Sequence, residues 1–143
     1  GYYSRVNNAT EWTCFYFDDI NSFSYNSLTK LNKVYYGVEL GMKFKLTSFL
    51  DLKALGTISE AKNISNAHVR YLNSTQGTYN DDEAIVKGMR ENGTPLTAAN
   101  LGLSFHQAGW FIDVNGNYYD RIYLGYSPYY RYASALKLSL IHI

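Results

Sequence analysis

A short run in the last quarter of the chain combines aromatic and charged side chains in a way that suits ligand binding. Its members are Tyr118, Tyr119, Asp120, Arg121 and Tyr123. Tyrosine offers a large apolar ring together with a hydroxyl group, which suits the recognition of sugars or aromatic chelates. The same run is also typical of an aromatic belt at a membrane interface, with Asp120 and Arg121 as an ion pair at the end of a strand. Both interpretations stay open at this point.

Acidic and amide side chains form two runs where a cation could bind, but neither has the spacing of a known site. The run from Asp113 to Asn117 is similar to the start of a calcium loop. Its glycine, Gly116, is at the fourth position rather than the sixth, and Leu124 stands where the bidentate glutamate belongs. We interpret the acidic run Asp81-Asp82-Glu83 as a solvated loop. The sequence therefore predicts no metal and no cofactor.

The reactive side chains do not indicate catalysis. His68, His106 and His142 lack the spacing of metal ligands, and Cys14, the one cysteine, cannot form an internal disulfide. Ser104 and His106 share one side of a predicted strand, but no nucleophile motif surrounds them. We predict that the protein is not an enzyme.

Composition and charge exclude several classes of protein. The 143 residues, enough for one domain, carry a net charge of +1 from 13 basic and 12 acidic side chains. A nucleic-acid binder usually concentrates basic charge on one face, so we expect no nucleic-acid partner. Aromatic residues make up 17% of the chain, which argues against disorder and favours β structure. No apolar run approaches the roughly 18 residues that a membrane-spanning helix needs.

Alternation between apolar and polar residues predicts the strands that position these side chains. From Tyr36 to Leu46 every second residue is apolar, and the residues between are glycine or charged. A period of two over this length indicates a strand, and the length matches a membrane-spanning β-strand. Similar segments run from Leu50 to Lys62, from Ala99 to His106 and from Trp110 towards Tyr126, and the stretch from Tyr2 to Leu28 is also β-like.

The predicted connections alternate between short and long. Thr47–Phe49, Gln107–Gly109 and Asp18–Asn21 are turns, whereas Asn63–Leu96 has no lasting period and is predicted to be a long loop. Outer-membrane barrels have short periplasmic turns and long extracellular loops. The uncharged apolar face of Tyr36–Leu46 and the aromatic residues at strand ends also favour a membrane barrel. A half-buried sheet of a soluble protein alternates in the same way.

The number of strands conflicts with a complete barrel. We count about six, whereas the smallest membrane barrels have about eight and open sheet edges are not tolerated in lipid. We therefore predict an all-β chain, an antiparallel meander that forms part of a larger transmembrane barrel. The chain starts at Gly1 without an initiator Met, and Leu138–Ile143 looks unrelated to what precedes it. We expect residues 1–137 to be a native fragment and residues 138–143 to be a non-native, adaptor-derived tail; the alternative is an apolar C-terminal strand.

Four runs together resemble the TonB-dependent receptor family. They are the runs Tyr35–Gly41, Leu55–Lys62, Gly93–Thr97 and Gly116–Leu124. The likeness is to the C-terminal barrel portion of the large receptors of Bacteroidota, and it covers nearly all of Gly1 to Lys137. It implies a roughly 22-stranded transmembrane β-barrel in the bacterial outer membrane, closed by an N-terminal plug domain. Such receptors bind a scarce solute (an iron chelate, a vitamin or an oligosaccharide) and import it with energy from the TonB complex.

The resemblance also implies partners. They are outer-membrane lipid, the plug domain and TonB complex through parts of the receptor outside this sequence, and a small-molecule or glycan ligand. A surface lipoprotein caps glycan-importing relatives, and the sequence leaves such a partner open.

The resemblance further gives each strand a direction and its polar side chains a face. Val34–Leu46 would run inward and Leu50–Lys62 outward, and Asn63–Leu96 would be extracellular and contribute to the outer binding surface. Ala99–His106 would run inward and Trp110–Tyr126 outward. The side chains predicted to face the lumen are Glu39, Lys43, Lys45, Lys53, Asp113, Asn115 and Asn117. They would contact the solute or plug, or form a solvated lining.

A second class of function stays open: a soluble secreted β-sheet module that binds carbohydrate through exposed tyrosines. In such a sandwich the apolar side chains of Tyr36–Leu46 would pack against a second sheet. In a barrel they would form one band of an outer surface with Leu101–Phe105 and Trp110–Val114.

Overall fold

The chain folds into one antiparallel sheet, followed by a short helix. The computed structural model describes residues 1–17, 22–73 and 78–140. Its strands are β1 (Tyr2–Phe17), β2 (Ser22–Thr47), β3 (Leu50–Asn63), β4 (Ala67–Asn73), β5 (Thr78–Ala84), β6 (Thr97–Gln107) and β7 (Trp110–Asp120). A 3₁₀ turn, Pro128–Arg131, and the helix α1, Ala133–Leu140, follow. In the part of the chain that is described, no helix has the length and apolar character needed to cross a membrane.

The strand order confirms the all-β prediction and corrects its details. Hydrogen bonding follows the order β5-β4-β2-β3-β6-β7, and β1 pairs with β2. The described residues thus contain seven strands rather than about six. The order departs from a simple meander, because the β4–β5 hairpin pairs with β2, its register joining Leu28 to Val69. The prediction of a long loop over Asn63–Leu96 was therefore wrong for the residues of β4 and β5.

The ends of several elements also differ from the sequence prediction. The strand from Trp110 ends at Asp120 rather than near Tyr126, because Arg121 has a φ of +54°, which breaks the extended backbone. Near the C-terminus α1 replaces the alternative of a strand, and it runs across the predicted boundary at Lys137. The predicted turn Asp18–Asn21 lies outside the described residues.

The two predicted short turns are confirmed. β2 ends at Thr47 and β3 begins at Leu50. Gln107 pairs with Trp110, which leaves a two-residue turn of Ala108 and Gly109, with φ of +51° and +84°. Positive φ at both central residues is the signature of a type I′ turn, whose twist matches that of the flanking strands.

The chain divides into two compact units. Unit 1 contains Gly1–Tyr3, Tyr35–Ala61 and Asn92–Leu124, and unit 2 contains the described residues of Ser4–Val34, Lys62–Glu91 and Gly125–Ile143. Unit 2 holds the hydrophobic core. Its buried members are Leu28, Leu31, Ala67, Val69, Ala84, Val86 and Tyr132.

Unit 1 is a sheet whose two faces are both open to solvent. On one face the register aligns Leu52 with Leu103 and Val114 across three strands, and the next row is Leu50, Phe105 and Ile112. Large apolar side chains on this face are 41 to 66% exposed. We call the following residues the apolar band: Val38, Leu40, Met42, Phe44, Leu46, Ile58, Leu101, Leu103, Ile112 and Val114.

Candidate functional site

The opposite face of unit 1 carries the polar side chains, and the register between strands decides which of them meet. Directly opposed residues of antiparallel strands point to the same side of the sheet. Lys53 is thereby aligned with Gly102 and Asn115, and Asp51 with Ser104 and Asp113. We call this surface the polar face.

Strand β2 contributes to the polar face as well. Lys43 Nζ lies 3.0 Å from Asp51 Oδ2 on β3. A Cβ added at Gly41 would stand 2.9 Å from Leu55 Cδ2, so the Leu55 side chain covers that glycine. Glu39 and Lys45 follow on the same side through the period of two. All seven residues predicted to line a lumen therefore share one face of the sheet.

The part of the polar face near the two short turns is charged. Lys43 and Asp51 pair there, and the Ser104 hydroxyl donates a hydrogen bond to Asp113. A Cβ at Gly102 would collide with the Asn115 amide at 2.5 Å, so this glycine makes room for the side chain of the neighbouring strand. This part is a lining of charges that form ion pairs or hydrogen bonds across neighbouring strands.

The part of the polar face farther from those turns holds a depression of about 500 Å³. Its floor is made by Gly41, Ala98 and the apolar side chain of Leu55, which covers Gly41. Polar groups surround this floor: the Glu39 carboxylate on β2, the Thr57 hydroxyl on β3, and side chains of β6 and β7. Those on β6 and β7 are Asn100, Asn117 and Tyr119.

Two side-chain carboxamides that line this depression are hydrogen-bonded to each other. Asn100 Nδ2 donates to Asn117 Oδ1 at 2.8 Å, and it lies 3.4 Å from the Gly116 carbonyl oxygen. Because each carboxamide has an acceptor oxygen and two donor hydrogens, the pair keeps an acceptor on Asn100 and donors on Asn117 for other groups. The depression therefore presents donors and acceptors side by side.

The structure does not bring the predicted tyrosine cluster together as one surface. Tyr118 and Tyr119 are each 58% exposed, but they lie on opposite faces, since Tyr118 is aligned with Ala99 and Tyr119 with Ala98. Asp120 Oδ1 accepts the backbone N–H of Arg121 at 2.7 Å. The Tyr123 carbonyl accepts the N–H of Gly93. Tyr119 is the member that lies in the depression.

The Arg121 side chain binds backbone carbonyl groups within unit 1 instead of forming part of a ligand-binding surface. Its guanidinium donates to Thr97 Oγ1 and to the carbonyl of Ser59, both at 2.7 Å, and to the carbonyl of Leu96 at 3.0 Å. It also lies 3.5 Å from Glu60. These contacts occupy the guanidinium group that was predicted to form an ion pair with Asp120.

Several residues of the depression were missed from the sequence. Thr57, Ala98 and Asn100 belong to it only because β3 and β6 pair in one register. Leu55 offered the one local signal: an apolar residue that breaks the alternation on the polar side, where it covers Gly41.

The acidic run of the β4–β5 hairpin, in unit 2, forms pairs within the protein. Asp81 accepts two hydrogen bonds from Arg70, at 2.8 and 3.1 Å, and lies 3.7 Å from His68 Nε2. The hydrogen bond from Arg70 lowers the pKa of the Asp81 carboxyl below its ordinary value. Asp82 accepts from the Ser134 hydroxyl. Within the described ranges, no group of three His, Cys, Asp or Glu side chains could hold a metal ion.

Unit 2 also contains a buried cation. Lys33 is 5% exposed, and its ammonium group contacts Glu11 and lies 2.7 Å from Glu91 Oε1. Burial by itself would lower the pKa of Lys33, but hydrogen bonds to both carboxylates and their charges raise it above 10.5. Lys33 is therefore a structural cation held by two carboxylates.

Comparisons of the chain with protein-family models, with curated proteins and with solved structures found no match.

Proposed function

We propose that this chain forms part of the barrel wall of a TonB-dependent receptor in the bacterial outer membrane. In this proposal the receptor imports a scarce solute, with energy supplied through the TonB complex. The observation that carries the proposal is the apolar band, whose side chains are 41 to 66% exposed on one face of unit 1 while polar side chains occupy the other face.

The physics of the two faces supports the proposal. Soluble monomers rarely expose large contiguous apolar patches, because each buried methylene group gains about 0.8 kcal/mol on leaving water. The apolar band carries no charged side chain, so lipid can cover it without the roughly 2–4 kcal/mol cost of a cation at the bilayer midplane. The polar face then lines the aqueous interior, where the exposed Lys43 pairs with Asp51.

The parts of the chain would have separate tasks in such a receptor. The strands of unit 1 would separate lipid from the aqueous lumen, and the polar face would meet the solute or the plug domain. The β4–β5 hairpin would belong to the extracellular surface that first meets the solute. The alternative, a soluble carbohydrate-binding sheet, is favoured by exposed tyrosines such as Tyr79 and Tyr119, 71% and 58% exposed.

Adjacent substitutions near the middle of β7 test the proposal. Val114 belongs to the apolar band, whereas Asn115 lies on the polar face. In lipid, Val114→Lys should lower the free energy of unfolding by roughly 2–4 kcal/mol, and Asn115→Lys should change it little. The measurement is urea-induced unfolding of the full-length protein folded into phosphatidylcholine vesicles, followed by tryptophan fluorescence.

The two proposed functions give opposite results in this experiment. A receptor needs detergent or lipid to stay in solution, and only Val114→Lys impairs its insertion. A soluble module stays in the aqueous phase without detergent, and both lysine variants leave it there. The second result would overturn the receptor proposal.

A further inference from the structure

We propose that the depression on the polar face is a binding site for one or two rings of a neutral sugar. The proposal rests on the proposed function in one respect, because the polar face must line an aqueous passage that solutes can enter. It goes beyond that function by choosing one class of solute and by assigning residues to it.

The dimensions of the depression suit a sugar ring. Its lining comes from four neighbouring strands, with Glu39 on β2 at one side and Tyr119 on β7 at the other. Three strand spacings of about 4.8 Å separate those two strands by roughly 14 Å. Between them Ala98 is small and the Leu55 side chain lies over Gly41, so the middle of the depression offers an apolar surface to one face of a ring. This is a space for a flat ring of modest size.

The chemistry of the lining also suits a sugar. The ring of Tyr119 is more than half exposed beside Ala98, its directly opposed neighbour, and can stack on the apolar face of a pyranose. The joined carboxamides of Asn100 and Asn117 offer an acceptor and donors side by side, which matches two adjacent hydroxyl groups. Glu39 and Thr57 supply further acceptors at the opposite side.

The charge of the lining favours neutral solutes over anionic ones. Among the described residues that line the depression, Glu39 is the one charged side chain, and its carboxylate repels carboxylates and phosphates. A ferric carboxylate chelate or a uronic acid would therefore bind more weakly than a neutral sugar of equal size.

Calorimetric titration of the full-length protein in detergent tests this assignment. The probes are three neutral trisaccharides (maltotriose, cellotriose and mannotriose), the anionic trigalacturonate and ferric citrate. At least one neutral trisaccharide should bind, and Tyr119→Ala should weaken that binding roughly tenfold. Asn117→Ala should weaken it as well, whereas Tyr119→Phe should retain most of it, because the ring remains.

Tyr118→Ala is the matched control. Tyr118 is as exposed as Tyr119 and precedes it in the chain, but it lies on the opposite face. Its removal should leave sugar affinity within about twofold. Glu39→Gln should allow trigalacturonate to bind more tightly, because it removes the repelling charge.

Several results would overturn the assignment. They are the failure of all three neutral trisaccharides to bind, binding that is equally sensitive to Tyr118→Ala and Tyr119→Ala, and preferential binding of ferric citrate or trigalacturonate to the unaltered protein. The lysine variants at Val114 and Asn115 separate these failures from that of the receptor proposal. A protein that inserts into lipid but binds no neutral sugar would lose only this assignment.

Discussion

At the scale of single residues, pairing across strands decides which charges are structural. Asp81 receives two hydrogen bonds from Arg70 on the neighbouring strand of the β4–β5 hairpin. Asp82, the next residue, points to the other side of the hairpin, where it accepts from Ser134. The acidic run looks uniform in the sequence, but Asp81 and Asp82 have different hydrogen-bond partners on opposite sides of the hairpin.

The pair of Arg70 and Asp81 should make the hairpin sensitive to acid. The folded pKa of Asp81 lies below the ordinary value of 3.8, so the pair stabilises the hairpin above that pH. The stabilisation is lost as the pH falls through the lowered pKa. Hydrogen exchange of the β4–β5 amides between about pH 5 and pH 2 should show this loss.

The Asp81→Asn variant provides the check. It should show weaker protection of these amides near neutral pH and a smaller change on acidification. Asp82→Asn, the neighbouring control, should keep the acid-dependent change of the unaltered protein. Equal behaviour of the two variants would contradict a role of the Arg70–Asp81 pair.

At the scale of elements, local backbone geometry sets where strands end. The turn of Ala108 and Gly109 needs positive φ at both positions, and Arg121 ends β7 with another positive φ. Arg121 compensates for this conformation through its hydrogen bonds to Ser59, Leu96 and Thr97. A residue predicted to contact a ligand thus joins the ends of β3 and β6.

Two substitutions in the β6–β7 turn should change the free energy of unfolding in opposite directions. Ala108→Gly should raise the free energy of unfolding by about 0.5–1 kcal/mol, because alanine is strained at a φ of +51°. Gly109→Ala should lower it by about 1 kcal/mol, because it introduces that strain at +84°. Urea-induced unfolding in detergent measures both changes.

Gly56→Ala serves as the control for this turn. Gly56 lies within β3, and a Cβ added there would meet no atom within 4 Å. The substitution should therefore raise the free energy of unfolding slightly, because alanine loses less backbone freedom on folding than glycine does. A loss at Gly56 as large as that at Gly109 would contradict the assignment of strain to the turn.

At the scale of the whole molecule, the two units differ in how far they bury their apolar side chains. Unit 2 buries its own core, with Leu28 and Val69 fully buried and Tyr71 stacked on Tyr132 at 5.2 Å between ring centroids. Unit 1 instead leaves Leu103 and Val114 41% and 63% exposed. In the proposed receptor, these apolar side chains would be buried by lipid rather than by the chain.

Removing one leucine from each unit should reveal this difference. Leu28→Ala should cost about 2–5 kcal/mol, because it opens a cavity in a packed core. Leu103→Ala should cost less than about 1 kcal/mol in detergent, because no tight packing is lost. Equal losses would contradict the view that the core lies in unit 2.

The two tryptophans allow each unit to be followed separately. Trp12 lies in unit 2 and Trp110 in unit 1, and the chain contains no other tryptophan. In this 143-residue chain, Trp110→Phe leaves Trp12 to report on unit 2, and Trp12→Phe leaves Trp110 to report on unit 1. Each leucine variant is measured in the background that reports on its own unit.

The candidate site could be predicted in part. The alternation of Glu39, Lys43 and Lys45 and that of Asp113, Asn115 and Asn117 place each set on one side of its strand, and the structure joins both sets on the polar face. The tyrosine cluster was predicted as one surface because its members are close in sequence. Neighbouring residues of a strand point to opposite faces, so closeness in sequence separates Tyr118 from Tyr119.

The sequence by itself determined the positions of most strands, their two faces and the tight turns, because these depend on a period of two and on backbone geometry within a few residues. Only the tertiary structure decided that Asn63–Leu96 contains a hairpin paired with β2, that Arg121 binds the backbone of β3 and β6, and that four strands form the depression. These features depend on the register between strands far apart in the chain. A shift of one residue in that register would move every side chain to the opposite face, and the pattern within one strand does not contain this information.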